Sequence, residues 1–165
     1  YENPRGFSIR FLFANFSSSN TPLIIHINVT THLKKMQKSK FISDILELLL
    51  DGDENGIKAK SQIEFINESD YEYTGSGVFI GFEHKKGIEK YRCEKNDLIL
   101  GGVEIKSSEL EIGANCTLFF SNGIIDNLEI WSFGGVYPKT ELNDYILTQV
   151  WDNSPQKTIK KDQHS

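Results

Sequence analysis

The stretch CTLFFSNGIIDNLEIWSF (residues 116–133) decides how the rest of the chain is read. Asn122 and Gly123 stand between two apolar runs. A two-residue type I′ turn needs positive φ at both central positions, which Asn and Gly tolerate best. The stretch therefore predicts an antiparallel hairpin with strands at CTLFF and IIDNLEIWSF. Plain alternation along the second strand would put Ile125, Asn127, Glu129 and Trp131 on one face, and Asp126, Leu128, Ile130 and Ser132 on the other. Neither face is cleanly polar, the pattern of a strand covered on both sides or met by a partner.

Outward from this hairpin the chain reads as β-rich. Further strands are expected at SQIEFI (61–66), GVFIGFEH (77–84), GIEKYRC (87–93), GGVEIKSS (101–108), ELEIG (109–113) and YILTQVW (145–151), the last after a turn following Pro138. Two more are expected near the start, at FSIRFLF (7–13) and LIIHINV (23–29). Between 32 and 50 the period changes. Leu33, Met36, Ile42, Ile45, Leu46 and Leu49 recur three and four residues apart, which predicts one amphipathic helix. Lys34, Lys35, Lys38 and Lys40 crowd its start and oppose the helix dipole, so its first turns are expected to fray or belong to a loop. The fold class is α+β: a mostly antiparallel sheet with one substantial helix packed on it, as a single domain over 1–151. The polar, aperiodic end (152–165) is expected to be disordered.

The 165 residues carry a net charge of −5 that is unevenly spread. Residues 1–50 sum to +3, residues 51–150 to −9 and the remainder to +1. An acidic body argues against nucleic-acid binding, which needs cations to neutralise phosphates, and suits a basic protein partner. The longest apolar run, ILELLL (45–50), is broken by Glu47 and is far short of the roughly 20 residues a membrane span needs, so no membrane association is expected.

DGDENG (51–56) opens like a calcium loop of the EF-hand type, with oxygen ligands at Asp51, Asp53 and Asn55 and glycine at Gly56. Position 8 is Lys58 where a hydrophobe belongs, and position 12 is Gln62 where a bidentate Glu belongs. The sequence after it reads as strand, not as an exiting helix. We therefore expect Asp51 and Gly52 to end the helix, and Asn55-Gly56 to turn the chain into a strand. No metal or other cofactor is expected. His26, His32, His84 and His164 match no ligand spacing, and His84 with Cys93 makes only two ligands. The glycine-rich GSGVFIG (75–81) lacks the spacing and the following helix of a phosphate loop. Cys93 and Cys116 would be one bridge or two buried thiols. Four glycosylation sequons, at Asn15, Asn28, Asn67 and Asn115, point weakly to secretion.

Carboxylates cluster twice. Glu68, Asp70 and Glu72 alternate with Tyr71 and Tyr73 in ESDYEYTGSG (68–77), the segment expected to be most exposed. Glu104, Glu109 and Glu111 would line one face of two adjoining strands. Both clusters read either as solvated sheet or as docking surface for a cationic partner, with Tyr71, Tyr73, Trp131 and Tyr137 as anchors if they are not buried in the core.

The stretch from Thr117 to Trp151 resembles a C-terminal pattern in bacterial immunity proteins encoded beside polymorphic or contact-dependent toxins. The matching residues are Phe120, Asn122, Gly123, Ile125, Leu128, Glu129 and Ile130, then Gly135, Pro138 and Trp151. The resemblance covers about a fifth of the chain. It implies a cytoplasmic, non-enzymatic protein that binds a cognate toxin domain, basic and nuclease-like, and occludes it. It carries over no functional residue, because such families meet their toxins through different surfaces. Two rival readings are a secreted or surface β-rich binding module and a hydrolase built on a carboxylate pair.

Overall fold

Among the described residues seven strands, every neighbouring pair antiparallel, form one sheet in the order β1-β2-β5-β4-β3-β6-β7. They are β1 (Ile66–Tyr73), β2 (Gly77–His84), β3 (Ile99–Lys106), β4 (Ala114–Ser121), β5 (Ile124–Ser132), β6 (Tyr145–Gln149) and β7 (Thr158–Lys161). The computed structural model describes residues 38–52 and 54–162. These form part of one compact unit, Lys34–Ser165. The expected strands at 7–13 and 23–29, the expected helix residues 32–37, Asp53, His26, His32, His164 and the sequons at Asn15 and Asn28 lie outside the described residues. The fold is α+β and dominated by the sheet. Among the described residues no helix is long and apolar enough to cross a membrane.

The central hairpin forms as its sequence demands. Asn122 and Gly123 take positive φ, 51° and 74°, between β4 and β5. One detail differs. Phe119 pairs with Asn127 but Phe120 pairs with Ile125, so Asp126 is an extra residue in β5. This bulge shifts the alternation, and Ile125, Leu128 and Ile130 all face the core. The mixed faces expected from plain alternation resolve into a buried apolar face and an open one that carries Asn127, Glu129 and Trp131.

The helix is shorter than expected. α1 (Lys40–Leu49) starts where the Ser39 hydroxyl accepts from the Ile42 amide at 3.1 Å, so Lys38 precedes it and Lys40 stands in its first turn. Its apolar stripe, Phe41, Ile42, Ile45, Leu46, Leu48 and Leu49, is buried against β3, β4 and β6. Two polar contacts from β6 fasten it. The Tyr145 hydroxyl donates to Asp44 at 2.8 Å, and the Gln149 amide donates to Leu48 O at 2.9 Å and Asp51 O at 2.7 Å. Gln149 thereby satisfies carbonyls that a helix C-terminus leaves open.

Three expected strands are not strands. Residues 54–65 form a short helix, α2 (Glu54–Ala59), and a 3₁₀ segment (Lys60–Phe65), with Asn55 and Gly56 inside α2 rather than in a turn. Ile88–Tyr91 is a 3₁₀ turn. Residues 109–113 belong to the irregular connection from β3 to β4. Each of these stretches is short, and each is drawn into its conformation by contacts distant in sequence. Conversely, the C-terminal stretch expected to be disordered supplies β7, which pairs with β6 from Tyr145↔Lys161 to Thr148↔Thr158.

Candidate functional site

The sheet has two unlike faces. One is the core, against α1. On the other, among the described residues, positions from six strands stand in register. Across the sheet run the rows Glu72–Phe79–Glu129–Thr117–Gly101 and Trp131–Asn115–Glu104–Thr148. Phe79, Trp131 and Phe133 are 37%, 51% and 39% exposed, which is unusual for so many large aromatic groups on one surface. Trp131 and Phe133 meet edge to face at 6.0 Å between ring centres. Ile99 and half-buried Phe119 extend the apolar surface on β3 and β4.

The carboxylates expected to act together are divided by this arrangement. In β1, Glu68 pairs with Phe82 and Tyr71 with Ile80, so Ser69 and Asp70 both face the single Gly81. This bulge turns Glu68, Tyr71 and Tyr73 toward the core side and leaves Asp70 and Glu72 exposed. Glu68, expected on the exposed segment, is buried. Its carboxylate accepts from the Ser39 backbone amide at 2.6 Å, at the start of α1, and from the Tyr71 hydroxyl. A carboxylate there favours the positive end of the helix dipole. Burial and the bond to Glu68 push the Tyr71 phenol well above its ordinary range, so it stays a donor. Tyr71 stacks on Tyr73 at 6.3 Å beside a cavity of about 30 Å³ lined also by Ile130 and Tyr137, room for one water. Tyr137 is buried in the core.

The second expected cluster does not form. Glu104 is on β3 and faces the open side. Glu109 lies in the following turn, where its carboxylate accepts from the Asn143 amide at 2.6 Å. Glu111 is exposed at the far side of that turn, against Gly135.

Other sequence candidates have structural partners. Asp51 is bound by Lys60 at 2.7 Å and by Lys157, and these hydrogen bonds hold its carboxyl below the ordinary range. Gln62, at position 12 of the calcium pattern, is buried. Its amide donates to Tyr91 O at 2.8 Å and Gly123 O at 2.9 Å, and it accepts from the Ile125 amide at 2.8 Å. The helical segment after DGDENG removes one sequence argument against calcium, but the ligands at both ends of the loop are engaged with protein groups. Among the described residues no group of three or more His, Cys, Asp or Glu is placed to hold a metal ion. His84 is bonded to Ile125 O at 2.6 Å. Cys93 and Cys116 are both free and buried. Asn115 sits in β4 with its side-chain oxygen buried and unpaired, a poor place for a glycan.

A pocket of about 420 Å³ lies at the β6–β7 end and includes Asp144 and Asp162. Asp144 accepts from the Ser107 hydroxyl at 3.0 Å and the Ser108 amide at 2.9 Å, and Asp162 pairs with Lys160 at 2.9 Å. Both acids are thus committed as acceptors within the fold.

Sequence reasoning missed Phe79, Phe133 and Glu129 as surface groups. The glycines of GVFIG were the available signal, since Gly77 and Gly81 share the face of Phe79 and leave it standing alone. In comparisons with known protein families, curated proteins and solved structures, the chain matches none.

Proposed function

We propose that the chain is a binding protein of the immunity type, which captures a basic, nuclease-like toxin domain in the cytoplasm and occludes it. The observation that carries this reading is the set of exposed aromatic side chains placed among carboxylates on one face of the sheet. Aromatic anchors supply most of the energy of a protein interface, and surrounding charge speeds encounter and sets register. The −9 net charge of residues 51–150 supports the same partner chemistry. The resemblance of the β4–β5 hairpin and the segment after it to immunity proteins supplies the biological class.

The test is co-expression in bacteria with the product of the neighbouring reading frame, expected to be a toxin that arrests growth when expressed by itself. Growth should be restored, and the two chains should elute together on size exclusion. Growth arrest despite soluble expression of both chains, with no common peak, would overturn the reading.

A further inference from the structure

We infer that the partner docks on the open sheet face at β1, β2, β5 and β4, with Phe79, Trp131 and Phe133 as anchors and cationic side chains as its matching chemistry. This rests on the binding-protein reading above and says where and by what contacts the binding occurs.

Three observations converge on this face. The first is the relief of the aromatic groups. Gly77 and Gly81 lie two residues either side of Phe79 on the same face, so the ring projects with no side chain beside it along its own strand. Gly77 is also the residue opposite Trp131, so β2 sets no side chain across from the indole. Phe79 faces Glu129 across the strand pair and is diagonal to Trp131, within the reach of aromatic side chains. The three rings make a low ridge of the kind that fills pockets in a partner.

The second is the state of the carboxylates. Glu72, Glu83, Glu129 and Glu104 surround the ridge, and among the described residues none of them has an ion-pair or side-chain hydrogen-bond partner. Glu68, Glu109, Asp44 and Asp51, by contrast, are engaged in the fold. The acids that hold the protein together are thus different residues from those around the aromatic ridge.

The third is polarity along the face. Among the described strand residues the lysines of this face, Lys106 and Lys160, lie toward the β6–β7 end, beside Ile146. The aromatic half is therefore the acidic half. A guanidinium or ammonium group over Trp131 would gain both a cation–π contact and a carboxylate neighbour. A solvating face would call for the charges but not for the rings.

The experiment has two arms. In the first, isotope-labelled protein is titrated with nona-arginine at low salt, with nona-glutamate as control. Amide shifts should concentrate at Phe79, Gly81, Thr117, Glu129 and the Trp131 indole, and should vanish in high salt. Shifts concentrated elsewhere would overturn the assignment. In the second, binding of the neighbouring-gene toxin domain is measured for wild type, for Phe79→Ala/Trp131→Ala and for Glu72→Lys/Glu129→Lys, each checked for an unchanged thermal melt. The aromatic double variant should dissociate at least about tenfold faster. The charge-reversed variant should associate about tenfold more slowly at low salt, with the difference shrinking at high salt. Wild-type toxin binding that neither variant disturbs would overturn this surface and leave the immunity reading standing. Nona-arginine mapping to the face without any toxin binding would do the reverse.

Discussion

At the residue scale, Gln62 shows how one buried polar side chain can organise several segments. It bridges the carbonyls of Tyr91 and Gly123 and the amide of Ile125, and so ties the 3₁₀ turn at Ile88–Tyr91 to the start of β5. Truncation removes the Gln62 partner from Tyr91 O and the Ile125 amide, while Gly123 O keeps the Cys93 amide at 2.8 Å, and each unsatisfied buried group costs on the order of 1–3 kcal/mol. Gln62→Ala should therefore lower unfolding stability by about 3 kcal/mol in urea titration, with partial relief from entering water. An unchanged midpoint would show that the bridge contributes nothing. Glu68 and Glu72 offer a sharper contrast because they are four residues apart in one strand. Glu68→Ala removes the acceptor for Ser39 and Tyr71 and should cost about 2 kcal/mol, while Glu72→Ala should stay within about 0.5 kcal/mol. Equal losses by thermal denaturation would contradict their assignment to opposite sides of the sheet.

At the element scale, β7 depends on contacts made by a residue far away in sequence. Lys157, just before the strand, bonds to Asp51, and its amide donates to the Gln149 side chain at 3.0 Å. Hydrogen bonds from Lys157 and Lys60 lower the Asp51 pKa in the folded state. A depressed carboxylate contributes stability that is complete above the ordinary carboxylate range and is lost as pH falls through the folded value. Amide protection factors of Thr158–Lys161 should therefore hold at pH 6 and drop below about pH 4, ahead of the central strands. In Asp51→Asn they should be low at both pH values. A pH-independent protection pattern in the native protein would rule out the Asp51 tether.

At the scale of the whole molecule, the two thiols report on global opening. Cys116 is fully buried in β4, and burial pushes its thiol well above the ordinary range; burial also raises the Cys93 thiol. Reaction with a thiol reagent should leave Cys116 unlabelled in the native state and proceed no faster than unfolding, while denaturant should release two equivalents. Rapid native labelling of both would contradict the burial. The same scale governs the charge pattern. Glu68, Glu109, Asp44 and Asp51 are bound within the fold, whereas Glu72, Glu83, Glu104 and Glu129 on the open face have no side-chain partner among the described residues. A single net charge conceals this division.

The sequence alone determined the central hairpin, the positions of β2, β3 and β6, the apolar stripe of α1 and the α+β class. All of these rest on local turn chemistry or on a periodicity long enough to read. It also determined the acidic character of the body. Only the tertiary structure decided which acids are free, because bulges in β1, β3 and β5 set which residues face the core. The extra residues at Ser69/Asp70 and at Asp126 shift the alternation and send Glu68 inward and Ile125 to the core. A bulge leaves no clear mark in a period-two pattern of short strands, since its position is set by the partner strand. The short helical segments at 54–65 and 88–91 and the strand β7 were likewise beyond local reading. Their conformations follow from Gln62, Asp51 and Gln149, whose partners lie 8 to 106 residues away along the chain.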